Sequence, residues 1–329
     1  MKVMFLVPSG TQRSHVRFRV IPFVEHARAR GMDVSWKAVP LSFLGRCVFF
    51  SRLPKADVYV VHRELLSTLE LQAVKRACDR LIYDFSDPVW MLPGDVGRLG
   101  CSMGLSKVVW RFERLCRAAD SCIVDNRVLA DRIASWQNDV HVLPTAVDTE
   151  AYVLRSGEHK SDMPVVGWIG DRAEPEQLRC ALGSLVSEAG SFQFSVVSGR
   201  PYAGPGQEYV FWSTWSEERE LEQLQTMDVG LVPLDANEWT KAVSGIDVLR
   251  YMASGVAVVA TGIGSAAEIV DHGIDGFLVR SEADWKRCIL RLLEDESLRQ
   301  TMVAAAYRKI RDEYSVEALA PRLWRILES

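Results

Sequence analysis

The sequence predicts an α/β protein built of two doubly wound domains. Three observations predict it. Short apolar, β-branched runs recur along the chain with helical patterns between them, as parallel sheets buried on both faces require. A polar stretch without sustained periodicity, residues 144–163, divides the series in two. The chain has 329 residues, 48% apolar and 25% charged, which is enough for two cores of ordinary size.

In chain order, the first series places strands at residues 3–7, 33–39, 57–61, 80–85, 121–124 and 140–143, with a long helical pattern at 105–119. The second series places strands at 165–169, 192–197, 209–212, 229–232, 256–260 and 277–279. The last fifty residues read as helix. The opening MKVMFLVPSG carries one Lys and a six-residue apolar run, too short for a signal segment and better read as a first buried strand. No stretch suits a membrane span, and a cytoplasmic location is expected. Seven cysteines, odd in number and scattered without a C-x-x-C pair or a His at ligand spacing, support neither a disulfide framework nor a metal site.

Charge is divided unevenly. Residues 1–155 hold 22 Lys and Arg against 16 Asp and Glu, whereas the whole chain has net charge −4, so the first half is basic and the second acidic. A basic domain of this kind suits an anionic head group or bilayer surface; nucleic acid is not expected, because the charge is modest and no recognised binding motif accompanies it. Two stretches fit a surface role. Residues 41–55 mix Phe43, Leu44, Phe49 and Phe50 with Arg46, Arg52 and Lys55, and Lys107, Arg111, Arg114 and Arg117 recur along one side of a helix. A packed helix with a solvated face is the alternative.

In open α/β sheets ligands bind beyond the carboxyl ends of the strands, where helix N-termini offer N–H groups to phosphate. Ser244, Gly245 and Ile246 stand where such a helix starts, with Leu249, Met252 and Ala253 as its apolar stripe and Gly255 at its end. Glycine there lets a ligand approach the backbone, although an ordinary Ser-capped helix start has the same pattern. Gly262-x-Gly264, followed by Glu268, repeats the design. Gly170 and Arg172 lie just after the strand at 165–169, where a guanidinium suits bidentate phosphate contact, with Lys241 as a reserve cation. In the first half, LIYDFSD ends in two carboxylates. Period-two alternation sets Asp84 beside Ile82 and leaves Asp87 beyond the strand. The loop containing Gly10 leads to a helix whose expected start bears Arg17 and Arg19, a placement that opposes the helix dipole and points to a phosphate.

The order of pieces over residues 228–279, DVGLVPL, a helix, YMASGVAVVAT, G-x-G, EIV and HG-x-x-GFLV, resembles the donor domain of nucleotide-sugar glycosyltransferases of the GT-B fold. It is most similar to the retaining family 4, or group 1, transferases of bacterial polysaccharide synthesis. The resemblance implies two Rossmann-like domains facing across a cleft: an acceptor domain at 1–155, a donor domain at 156–310, and a final helix at 311–329 that packs back on the first. It implies transfer of a sugar from a nucleotide diphosphate to a glycan or lipid-linked acceptor, with retention and with neither metal nor other cofactor. Ser244, Gly245 and Ile246 then cup the diphosphate, Gly170 with Arg172 or Arg250 meets its charge, and Gly264 and Glu268 lie near the donor ribose or sugar. Asp87, and after it Asp84, stands near the reacting sugar. A related subset has a phrase similar to S-x-x-R-F-R-V, which gives Arg17 and Arg19, with Gly10, the acceptor or phosphate side.

The chain departs from the family pattern at its centre. Ala242 and Arg250 occupy the positions of a Glu pair separated by seven residues, and Asp247 stands where a Lys is common. A non-catalytic GT-B-like partner subunit or glycan-binding module is therefore the alternative. An epimerase or a periplasmic ligand-binding protein shares the two-lobe plan, but no motif supports the first, and the missing signal segment and scattered cysteines oppose the second.

Overall fold

The computed structural model describes residues 1–9, 13–91, 105–154, 163–170, 175–188 and 190–329. The chain divides into two units: Met1–Ala146 with Ala242–Ser244 and Val316–Ser329, and Val147–Lys241 with Gly245–Ser315. The change of unit falls at Ala146, earlier than the position 155 read from the polar stretch.

The first unit is a parallel sheet of β1 (Lys2–Pro8), β2 (Asp33–Val39), β3 (Ala56–His62), β4 (Cys78–Phe85), β5 (Ser121–Val124) and β6 (Val140–Val142), ordered β2-β1-β3-β4-β5-β6. Alternation along each strand feeds two separate cores. Val3, Phe5, Val58, Val60, Ile82 and Ile123 face a layer made by α1 (Arg13–Arg19), α2 (Ile21–Ala29) and the chain's last helix. Met4, Leu6, Tyr59, Val61, Leu81, Tyr83 and Phe85 face α3 (Phe43–Ser51), α4 (Thr68–Ala77), α5 (Leu105–Ala118) and α6 (Arg127–Ile133). A capping box fixes the start of α4: Ser67 N–H donates to Glu70 Oε2 at 2.6 Å and Glu70 N–H returns to Ser67 Oγ at 3.4 Å.

The second unit is another six-stranded parallel sheet: β7 (Val165–Gly170), β8 (Gln193–Ser198), β9 (Val210–Thr214), β10 (Val229–Val232), β11 (Ala257–Thr261) and β12 (Phe277–Val279), ordered β12-β11-β10-β7-β8-β9. Its helices are α7 (Arg179–Leu185), α8 (Glu220–Gln225), α9 (Glu238–Ala242), α10 (Ile246–Ala253), α11 (Gly264–Ile269), α12 (Glu282–Glu294) and α13 (Glu296–Lys309); α14 (Val316–Glu328) returns to the first unit. Val229, Leu231, Ala257 and Val259 pack with α7 and α12. On the opposite face Gly230 lies under the Tyr251 ring of α10, where an added Cβ would come within 2.4 Å of a ring carbon. Two doubly wound units with parallel sheets are thus present, and every expected strand exists with ends shifted by a residue or two. Among the described residues, no helix is long and apolar enough to cross a membrane.

Candidate functional site

The carboxyl ends of β3, β4 and β5 bring a buried polar cluster together in the first unit. His62 ends β3, and the parallel register sets it against Asp84 of β4. Both point to the side of Val60 and Ile82, under the last turn of α1, and Arg19 reaches them from there. Arg19 Nε and Nη2 donate to Asp84 Oδ1 at 3.0 and 2.8 Å, while Nη1 donates to Leu143 O at 2.7 Å and lies 3.3 Å from Asp125 Oδ1. His62 Nδ1 is 2.5 Å from Asp84 Oδ2. Burial opposes the charge on Asp84, but the Arg19 guanidinium and the His62 bond hold its carboxyl below the usual range. Burial also pushes His62 down, so the neutral ring keeps its Nδ1 proton and donates it in a hydrogen bond to Asp84 Oδ2. Its Nε2 is then a lone-pair acceptor, buried and without a hydrogen-bond partner among the described residues. Asp125 takes an N–H from Thr145 at 2.7 Å, and burial pushes its carboxyl up to about 6.

Asp87, just past the end of β4, forms the second half of the cluster. Its Oδ2 lies 3.1 Å from both His15 Nδ1 and Arg63 Nη1, and Ser86 Oγ donates to it at 3.3 Å. It also accepts the backbone N–H of Ser244, so the Ala242–Ser244 segment is tied to this carboxylate. Burial works against its charge, but His15, Arg63 and the hydrogen bonds from Ser244 and Ser86 together hold its carboxyl below the usual range. Asn126 secures the same segment from the other side, donating to Ala242 O at 3.1 Å while its Oδ1 accepts Leu129 N–H at the start of α6. Arg63 has φ 57°, the one non-glycine residue described with a left-handed backbone, and its N–H donates to Asp84 O at 2.9 Å. Such a conformation stores strain and is a mark of functional sites. His15 is the most exposed member of the cluster, and Arg63 is partly exposed.

This geometry corrects the expectation for Arg17 and Arg19. Both lie in the last turn of α1, where cations favour the helix dipole, and not at its start. Arg19 is buried and committed to Asp84, Asp125 and Leu143, so it has no face left for an acceptor phosphate; Arg17 lies over the Phe18 ring at 4.8 Å. Asp84 is likewise enclosed by Arg19 and His62, which gives it a positioning part and no open face for a sugar. Gly10 lies outside the described residues. His15, His62, Arg63, Asp125 and Asn126 belong to no motif in the sequence. Their signal is placement: each of the last four stands at or just beyond the carboxyl end of a buried parallel strand.

In the second unit, Gly245 is the N-cap of α10 and Ile246 its first residue, with no side-chain cap. Gly245 sits close under α11: a Cβ there would lie 2.1 Å from Ile269 Cδ1, the tip of a side chain that would have to turn away, and 3.2 Å from Ser265 Cβ. Gly264 starts α11 with φ +51°, and a Cβ would meet Lys241 O at 2.5 Å. Glu268 is exposed on α11, and Gly170 ends β7 in the interior. Lys241 lies in α9 and not in a loop, with Nζ 3.1 Å from Glu238 Oε1. Arg250 points inward: its Nη1 is 3.0 Å from the buried Glu220 Oε1, and Nη2 bonds Asp247. That position therefore supplies a core ion pair where a phosphate cation was expected. Arg172 lies outside the described residues. Among those described, no group of three or more His, Cys, Asp and Glu is placed to hold a metal ion.

Residues 165–295 match the family model described as glycosyl transferases group 1. No curated protein matches the sequence. Among solved structures, sucrose-phosphate synthase from Thermosynechococcus elongatus superposes with TM-score 0.71 at 15% identity, covering 100% of this chain and 98% of that one. HepE from Anabaena, solved with UDP, gives 0.72 at 15% identity over 100% of both chains. A glycosyltransferase from Rickettsia africae gives 0.70 at 12% identity over 99% of this chain and 98% of the other. Residues 165–295 are accordingly a group 1 glycosyl transferase domain, set in a chain with the GT-B fold of two Rossmann-like units.

Proposed function

We propose that this chain moves a sugar from a nucleotide-diphosphate sugar to a glycan or lipid-linked acceptor, with retention and without a metal ion. The match of residues 165–295 to group 1 glycosyl transferases carries this reading. HepE, alike in fold, was solved with UDP-glucose as well as UDP. The donor diphosphate lies at the start of α10, near Gly245 and Ile246, where fixed backbone dipoles meet the charge of the leaving group. The bond from the anomeric carbon to the diphosphate oxygen breaks with its electron pair staying on the diphosphate. The acceptor oxygen forms the new bond, and its proton passes to the departing phosphate. Arg172 supplies the cation at the phosphate, and Glu268 takes hydroxyl hydrogen bonds from the donor. Asp87 acts as a positioning residue, holding His15, Arg63 and the Ser244 backbone within the cluster. The location that goes with this reading is cytoplasmic, peripheral at the inner face of the membrane.

One observation favours a second reading, a non-catalytic GT-B-like partner or glycan-binding module. Asp247 puts a carboxylate in the first turn of α10, and Arg250 is already paired with it and with Glu220. Titration with nucleoside diphosphates and their sugars, followed by an assay for donor hydrolysis and transfer, separates the two. The transferase reading expects one nucleotide to stabilise the protein by about 2.7 kcal/mol at a hundredfold excess over Kd, with measurable donor turnover. Binding without any turnover selects the module, and no binding across the panel overturns the donor site and leaves the non-catalytic reading.

A further inference from the structure

Helices α3, α4 and α5 of the first unit expose large apolar side chains that its core does not use. On α3, Phe43 and Leu44 are 78% and 75% exposed, and the exposed Cys47 and Val48 continue the same stripe one turn later. Leu69, in the first turn of α4, is 78% exposed, and Trp110 of α5 is 52% exposed. Hydrogen bonds place these side chains on one continuous surface. Arg46 of α3 donates to Glu70, the neighbour of Leu69, at 2.6 Å. On the other side of Leu69, Arg114 of α5 bonds Thr68 and donates to Leu66 O at 2.7 Å, with its guanidinium 4.5 Å from the Trp110 ring centroid. Leu69 is therefore flanked by α3 and α5, and the apolar stripe runs across all three helices.

The charge around that stripe is predominantly positive. Residues 41–55 contain Arg46, Arg52 and Lys55 and no acid, and α5 contains Lys107, Arg111, Arg114 and Arg117 against the single acid Glu113. The acids that border the surface are already paired, Glu64 and Glu70 with Arg46 and Glu113 with Arg117. We infer that this face docks on an anionic lipid bilayer, with Phe43, Leu44, Leu69 and Trp110 entering the headgroup region while Lys107, Arg114 and Arg117 meet lipid phosphates. Aromatic and aliphatic tips surrounded by long cationic side chains suit such an interface, because each Lys or Arg stem lies along apolar surface while its charge reaches the phosphate plane. A protein partner would call for acids of its own against the same cations and would give binding indifferent to lipid.

The test is co-sedimentation of the purified chain, without nucleotide, with vesicles of phosphatidylcholine alone or mixed with phosphatidylglycerol. Docking on lipid deepens the peripheral location proposed above, and because the assay reads lipid binding and not sugar transfer, its failure is distinguishable from failure of the proposed activity. Binding is expected to the mixed vesicles only, and to weaken as salt rises past the point where the Debye length shrinks to roughly 8 Å. Lys107→Gln and Arg117→Gln are each expected to weaken it by about fivefold. The pair Phe43→Ser with Leu44→Ser, and separately Trp110→Ser, is expected to abolish the salt-resistant part. Thermal midpoints report that each variant is folded, which the exposure of these side chains favours. No binding to the mixed vesicles overturns the inference, as does equal binding to phosphatidylcholine, unaltered binding by all variants, or a self-association that the same substitutions remove in the absence of lipid.

Discussion

Arg19 meets Asp84 side-on, with Nε and Nη2 3.0 and 2.8 Å from the same Oδ1, and both side chains are buried in the first unit. Removing one partner of a buried pair leaves the other charge uncompensated. Arg19→Ala is therefore expected to lower stability by about 3 to 5 kcal/mol in denaturant melts. Affinity for an anionic acceptor should stay the same in the folded fraction. Full stability with lost acceptor affinity would instead give Arg19 the phosphate role that its place in the sequence suggests.

His62 and Asp125 make stability depend on pH in opposite senses. The folded pKa of His62 lies below the unfolded value of about 6.5, so below that pH the unfolded chain takes up a proton that the folded one refuses. Its effect is a loss of stability as pH falls. Asp125 is raised to about 6, whereas an unfolded Asp titrates at about 3.9. Its contribution is present below the unfolded value and is lost as pH rises through about 6. Denaturant melts across this acidic range should show His62→Gln flattening the acid-side fall and Asp125→Asn removing the loss on the way up. Profiles parallel to the parent would reject both assignments.

Much of the fold is legible because parallel sheets demand it. Runs such as VVGWIG and SCIV are buried on every residue, and only a doubly covered strand needs that pattern. The site is less legible for a physical reason. Asp84 follows the alternation of β4, and its place beside Ile82 is visible in the sequence, but its partners come from α1 and β3, far away in the chain. Arg19 stands at the end of α1 and not at its start because the helix is only seven residues long, a length that the local pattern does not encode. Ala242 and Ser244 count with the first unit through Asn126 and Asp87, a long-range tie that no local pattern encodes.

Asp87→Asn keeps an oxygen for the Ser244 N–H while deleting the charge that holds His15 and Arg63. Loss of charge-assisted bonding of about 1.5 to 3 kcal/mol from the transition state lowers kcat by roughly one to two orders of magnitude. Nucleotide affinity should change little. Equal losses in kcat and in nucleotide affinity would assign Asp87 to the donor turn alone.

Gly245 and Ile269 can be tested as a pair. Gly245→Ala drives a methyl into Ile269 Cδ1, so the Ile269 tip or the start of α10 must shift, and nucleotide affinity should drop with the thermal midpoint. Ile269→Val removes that Cδ1 and leaves 3.2 Å to Ser265 Cβ as the tightest contact. The double variant should recover most of both losses, a coupling of about 0.5 to 3 kcal/mol in a double-mutant cycle. Additive losses would show that the glycine serves ligand approach and not packing.

Restoring the family carboxylate at position 250 should fail by itself. Arg250→Glu sets a second carboxylate against Glu220, which is buried and already accepts from Trp215 Nε1 at 3.1 Å and from the Tyr152 hydroxyl. Two carboxylates there cannot both stay charged without loss of several kcal/mol, so the second unit is expected to melt early and transfer not to rise. Adding Glu220→Gln removes the repulsion while keeping an oxygen for Trp215, and the double variant should regain most of the stability. If Arg250→Glu alone melts like the parent, the ion pair contributes nothing to the unit. If the refolded double variant gains sugar transfer, the family carboxylate acts at this position even with Ala242 in place.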